Sequence, residues 1–191
     1  AMLPPVIHNP QNVECTFRPL QADEVNEAYA AYLEVCAWLQ RRQIRLWLQP
    51  LPPEKFKERQ VRGELFGLFA GRELAVSLTL LNETPAYWQD ELGTEPIWWL
   101  STVATSVKFK GRGLGERAVA QATTWLARKG ATEVLLDCAL GFLPRFYQRC
   151  GFSALIEKDV TFSSGNTYPL VLMKKDIAAV AVAEEVKNSV A

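Results

Sequence analysis

The stretch Leu100 to Arg117, LSTVATSVKFKGRGLGER, restricts the fold more than any other part of the chain. Its first half, Leu100-Ser101-Thr102-Val103-Ala104-Thr105, is rich in β-branched residues and reads as a strand. Gly111, Gly113 and Gly115 then alternate, and Glu116 to Ala122 is good helix sequence. A strand therefore enters a glycine turn that opens directly into a helix. Glycines let successive backbone N–H groups converge on one concavity. The start of the helix adds partial positive charge, and Lys110 and Arg112 add full charges. Such a turn suits a pyrophosphate or a similar anion; the plainer reading is a solvated turn with incidental glycines.

Two familiar phosphate loops do not fit. A Walker loop needs Lys-Ser/Thr after its last glycine, where this chain has Glu116-Arg117. A dinucleotide fingerprint needs GxGxxG, and the spacing here is GxGxG. The 191 residues suit one domain, and 49% apolar content suffices for a core without metal or disulfide staples. Zero net charge gives no electrostatic case for nucleic acid or an anionic membrane. No apolar run is long enough to span a bilayer, and the first residues lack the pattern of a signal peptide. Cys15, Cys36, Cys138 and Cys150 are scattered without CxxC spacing, which argues against a zinc site and for a reducing, cytoplasmic setting. The single histidine, His8, sits in a Pro-rich leader, so histidine-based catalysis is not expected.

Taken in order, residues 1–12 read as a surface extension, 13–175 as the domain and 176–191 as a tail that could form a loose helix. Val13 to Leu20 alternates like a strand, with Pro19 at its end. Asp23 to Gln40 is helical, with Val25, Ala28, Tyr32, Val35, Cys36 and Leu39 on one face. Arg41 to Gln49 is expected to continue or restart that helix, and Pro53 to start a short one through Val61. Leu65–Ala70 and Glu73–Leu81 form a hairpin around Gly71-Arg72. Asn82 to Pro96 reads as a long loop carrying Tyr87, Trp88, Asp90, Glu91 and Glu95. Strands are expected over Ile97–Thr105, Glu133–Cys138, Phe152–Lys158 and Thr167–Lys174, and helices over Gly115–Lys129 and Leu143–Cys150.

This order of elements, with Lys110-Gly111-Arg112-Gly113-Leu114-Gly115, resembles the coenzyme A loop and topology of the GNAT N-acetyltransferases. Pro144-Arg145-Phe146-Tyr147-Gln148-Arg149-Cys150-Gly151-Phe152 resembles the family's FYxxxGF segment, in the expected place after the loop. Trp38-Leu39 with Trp47, Trp88, and Leu136-Asp137 further resemble a bacterial group of undefined substrate. The resemblance implies an α/β (α+β) fold: a single domain with a mixed central β-sheet flanked by helices on both faces.

It also implies acetyl-CoA as acyl donor and direct attack by a substrate amine. Backbone groups of Val103, Ala104 and Thr105 would pair with the pantetheine arm and stabilise an oxyanion. Lys110, Gly111, Arg112, Gly113, Leu114, Gly115 and Glu116 would hold the pyrophosphate, and Tyr147 would protonate the leaving thiolate. Packing at a helix–strand corner is the alternative for Tyr147. Leu140 stands where relatives most often carry asparagine, and Ser101 where they often carry a histidine or glutamate base. The base is thus open among Asp90, Glu91, Glu95 and Asp137. Asp137 ends a buried strand, where an unpaired carboxylate is costly; a cationic substrate amine is one partner for it. Trp88, Trp99, Ser101 and Asp137 are the expected acceptor contacts, around a small-molecule amine. Protein or peptide acetylation, or an acyl-CoA-binding regulator without turnover, stays open, as does a homodimer; no metal site is expected.

Overall fold

The computed structural model describes residues 14–177. The extension, His8 and the expected tail helix lie outside the described residues. Seven strands form one sheet in the order β1-β2-β3-β4-β5-β7-β6. They are β1 (Cys15–Pro19), β2 (Leu65–Ala70), β3 (Glu73–Asn82), β4 (Trp98–Thr105), β5 (Glu133–Ala139), β6 (Ser153–Thr161) and β7 (Thr167–Asp176). The helices are α1 (Val25–Arg41), α2 (Pro53–Val61), α3 (Gln89–Leu92), α4 (Leu114–Arg128) and α5 (Leu143–Arg149). All neighbouring strands run antiparallel except β4 and β5, which are parallel.

Helices cover both faces, and alternation along the strands sorts the core between them. Val76, Leu78 and Leu80 of β3, with Val134 and Leu136 of β5, pack with Leu114, Ala118, Ala122 and Leu126 of α4. The opposite face of β2 and β3 meets Val25, Ala28, Tyr32, Val35, Cys36 and Leu39 of α1, and Phe56 of α2. Further along that second face, Trp88, Trp99, Leu135 and Leu172 form a third cluster. The helix face expected from periodicity in α1 is the one buried. Burying one such large aliphatic or aromatic side chain contributes about 1.5–3 kcal/mol, so these faces fix where each helix lies.

The helix expected over Arg41–Gln49 is absent. α1 stops at Arg41 because Gln43 adopts φ 55°. The Ile44 N–H then bonds the Leu39 carbonyl at 3.0 Å, and the Gln43 N–H bonds the Gln40 carbonyl at 3.0 Å. That is a Schellman ending made without glycine. The segment after it is tied down by side chains: the Tyr29 hydroxyl donates to the Leu51 carbonyl at 2.7 Å, and the Leu51 N–H donates to the Tyr32 hydroxyl at 3.0 Å. The loop before β4 is also more structured than expected. A 3-10 turn at Ala86–Trp88 leads into α3. The Thr84 hydroxyl closes the loop on the Glu95 carbonyl at 2.6 Å, and Lys158 of β6 pairs with Glu91 at 2.8 Å.

Candidate active site

The sheet opens where β4 meets β5. These strands share one registered pair, Trp99 with Leu135, and separate beyond it. On its other side β4 stays paired with β3 out to Thr105, but the register slips. Ser101 faces Thr79 and Ala104 faces Ser77, so β4 spends one residue more than its partner. The extra residue shows at Thr102, which holds φ 53°. A β-branched residue there is strained, at a cost of about 1–3 kcal/mol. Hydrogen bonds hold it in place. Arg59 Nη1 of α2 donates to Thr102 Oγ1 at 3.1 Å and to Thr79 Oγ1 at 3.0 Å, and Ser101 Oγ lies 3.0 Å from Thr102 Oγ1. The bulge turns β4 away from β5 and leaves backbone donors and acceptors of both strands facing a gap.

The glycine turn closes one end of that gap. Gly111 and Gly113 sit at φ 80° and 72°, and a Cβ on either would meet no atom within 4 Å. Their glycines serve backbone shape, and the space beside them is open. Gly113 caps α4 without a side-chain hydrogen bond. The N–H groups of the first turn, at Leu114, Gly115 and Glu116, thus lack intrahelical acceptors and can serve an anion. Gly115 differs from the other two and corrects their shared assignment. A Cβ there would lie 3.0 Å from Thr105 Oγ1 and 3.4 Å from Phe146 Cζ, so this glycine lets α4 pack against β4 and α5. Leu114 is buried, and Glu116 pairs with Arg149 at 3.2 Å, which limits both to backbone contacts with a ligand. Val103 and Ala104 likewise pack into the two opposite cores. Lys110 Nζ lies 4.5 Å over the Trp38 ring, whose other cation is Arg42 at 4.0 Å. Burial, then the charge of Arg42, lowers the Lys110 pKa. Arg112 lies over Phe109.

Tyr147 comes from α5, whose start carries Pro144 and whose end turns at Gly151 with φ 95°. Its ring packs edge-on against Phe146 and Phe152 with centroids 5.0 and 5.9 Å away, and the residue is 8% exposed. The hydroxyl has no hydrogen-bond partner among the described residues. Burial raises its pKa strongly, and Cys138, Cys150 and Asp137 add to the rise. The phenol is therefore held in its protonated, donating form.

Asp137 lies on β5 two positions past the last β4–β5 pair, which sets it across the gap from Ser101. The carboxylate expected to need a cationic partner has neutral ones. Trp88 Nε1 donates to Asp137 Oδ2 at 2.9 Å, and the Tyr87 phenol faces the same carboxyl. Burial raises the carboxyl pKa, and Trp88, then Tyr87, oppose the rise only partly. The result suits a proton acceptor that is oriented but not neutralised. Of the other expected bases, Glu91 is taken by Lys158, and Asp90 and Glu95 stand exposed.

Trp88 and Trp99 were expected to touch the acceptor, and this is corrected. They are 0% and 3% exposed, because both point into the cluster under the loop. Trp88 reaches the site only through its hold on Asp137. Ser101 and Asp137 remain half-open at the gap. Past them lies a mostly apolar cavity of 340 Å³ between Ile44, Leu140, Phe142, Leu143 and Tyr168, with the exposed Arg45 also in its lining. Leu140, in place of a polar residue, thus gives that end an apolar wall. Arg59 and Thr102 escape any reading from sequence: Arg59 is one of several cations on a polar helix, and a threonine argues against positive φ.

Comparison with known proteins matches residues 32–152 to the family described as Acetyltransferase (GNAT) family. The N-acetyltransferase YesJ of Bacillus subtilis, itself uncharacterized, is 31% identical over 115 residues, covering 52% of this chain. The match spans 63% of that relative's own length. A GNAT-family acetyltransferase structure from Listeria monocytogenes superposes with TM-score 0.71 at 18% identity, over 86% of this chain and 95% of that one. YncA of Salmonella typhimurium, solved with its cofactor acetyl-CoA, gives TM-score 0.63 at 14% identity, over 86% and 94%. At such identities these structures speak for the fold.

Proposed function

The chain belongs to the GNAT acetyltransferase family, and from that premise we propose that it moves an acetyl group from acetyl-CoA to a primary amine of a small molecule. The observation that carries the reading is the one-pair β4–β5 contact. A free strand edge, an uncapped helix start and the Asp137 carboxyl support a site at that opening, and the reading adds the buried phenol of Tyr147 to them. The residues present fit the coenzyme: open space beside Gly111 and Gly113 admits a pyrophosphate to the first N–H groups of α4. The freed edge of β4 suits amides that add as a further strand.

When bound, acetyl-CoA supplies an activated thioester. Asp137, oriented by Trp88, takes the proton that the amine nitrogen loses as its bond to the acyl carbon forms. Tyr147 gives its hydroxyl proton to sulfur as the carbon–sulfur bond breaks. A free β4 N–H holds the oxyanion. The buried ring walls keep water from competing for the acyl group.

Calorimetry tests the first half and an amine panel the second. Wild-type protein is expected to bind coenzyme A. Gly113→Val forces a β-branched residue to φ 72° and fills the open space, and is expected to abolish binding while the far-UV circular dichroism stays. Unchanged affinity in that variant removes the loop from the site. Turnover of acetyl-CoA with none of the panel's amines removes the transferase reading.

A further inference from the structure

We propose that the acceptor is an amine that also carries a carboxylate, of amino-acid type, and that Arg59 binds that carboxylate. The inference rests on the acetyl-transfer reading of the same gap.

Arg59 is a half-buried cation without an ion pair among the described residues. Acids lie within electrostatic reach, but Glu58 and Glu64 pair with Arg62, and Glu83 is exposed. Both hydrogen bonds of Arg59 leave from Nη1, to Thr79 and Thr102. Nη2 and Nε have no protein acceptor among the described residues. These atoms form the edge of a guanidinium that matches a carboxylate in two parallel bonds. Leaving such donors half-buried and unmatched is costly. A role confined to bracing Thr102 does not account for them.

Position supports the match. Thr102 follows Ser101, which faces Asp137 across the gap. Arg59 is bonded to Thr102 and therefore belongs to the wall opposite Asp137. The two walls are adjacent strands, spread beyond the usual spacing of ~5 Å. A molecule with an amine and a carboxylate a few bonds apart can put its amine at Asp137 and its carboxylate at Arg59. The mostly apolar cavity beyond Asp137, lined by Ile44, Leu140, Phe142 and Tyr168, then receives a hydrophobic side chain; Arg45, the cation in that lining, is exposed rather than half-buried like Arg59.

The test compares each of the twenty protein L-amino acids with its decarboxylated amine. Wild-type enzyme is expected to prefer at least one apolar amino acid over its decarboxylated form by roughly 100-fold in kcat/KM, the scale of a half-buried charge-assisted pair. Arg59→Gln is expected to lose that preference, so that the ratio of kcat/KM for the amino acid to that for its decarboxylated amine falls toward one. Arg59→Lys keeps the charge without the fork and is expected to recover part of it. A second readout needs no acetyl-CoA: calorimetric titration of the unloaded protein with the N-acetyl amino acid and with the matching N-alkyl acetamide. Carboxylate-dependent binding present in wild type and lost in Arg59→Gln supports the proposal. No carboxylate preference in wild type, or a preference that survives in Arg59→Gln, overturns it. If Arg59→Gln unfolds early, Arg59→Lys decides by the same measurements. Should no amine be acetylated while the titration still depends on the carboxylate and on Arg59, the transferase reading fails and the binding site stands.

Discussion

The two walls of the gap are built by opposite means. On the β4 side the backbone is irregular: Thr102 holds φ 53°, the register slips by one residue, and the polar groups are hydroxyls around one guanidinium. On the β5 side the backbone is regular, paired with β7 from Glu133 to Ala139, and the polar group is the half-buried carboxyl of Asp137, held by Trp88. One wall is made by bending a strand, the other by dressing an ordinary one. The difference teaches that the opening and the chemistry have separate causes, so each can be removed without the other.

The largest effect is expected beside the regular wall. Tyr147→Phe removes a hydroxyl and keeps the ring packed against Phe146 and Phe152. With a general acid lost, kcat should fall by roughly 10²-fold or more, while coenzyme A affinity stays near wild type. Wild-type kcat in the variant, under conditions where chemistry limits the rate, would take Tyr147 out of the mechanism.

Asp137→Asn comes next, with a fall of about 10²-fold in kcat/KM for the acceptor. Its pH behaviour sharpens the comparison. The Asp137 pKa is raised by burial, so the active carboxylate forms only above the ordinary carboxylate range. Wild-type activity should therefore rise with pH along an acidic limb above ~4, and residual Asp137→Asn activity should lack that limb. The sign for stability is opposite. A carboxyl raised in the folded state contributes stability fully below its unfolded pKa, and this is lost as pH rises through the folded one. Asp137→Asn should thus flatten the loss of stability in that window, seen in denaturant melts across pH. An identical limb in both proteins would assign it to another group.

The smallest effect is expected on the bent wall. Thr102→Gly relieves about 1 kcal/mol of left-handed strain and gives up a hydroxyl bond worth about as much. Denaturant stability should stay within about 1 kcal/mol of wild type, while the acceptor KM rises several-fold because Arg59 loses its anchor. A stabilisation of about 2 kcal/mol or more would mean that the bonds to Thr102 hold nothing in place.

These contrasts also explain what could be read in advance. Periodicity located the buried face of α1 because burial and pattern have the same physical cause. The cost of an unpaired carboxylate at the end of a buried strand pointed to Asp137, whereas Tyr147 rested on the resemblance of its segment to the family's FYxxxGF. Irregular backbone was not legible. Gln43 ends α1 in a conformation that usually calls for glycine, so the helix was extended too far. Thr102 bends β4 where composition argues for a straight strand. In both cases the local preference yields to contacts distant in the chain: Tyr29 and Tyr32 with Leu51, and Arg59 with Thr102. Trp88 was picked out, but its role turned on a partner 49 positions away.

A strand pair that parts after one registered contact also leaves two unpaired edges inside a seven-stranded sheet. Free edges invite any extended chain to add on, and between copies of a protein that is the start of aggregation. The bend at Thr102 twists one edge out of plane, and the inward carboxyl of Asp137 puts a polar group against the other. A continuous foreign strand cannot register along both, whereas a short arm with its own amides can.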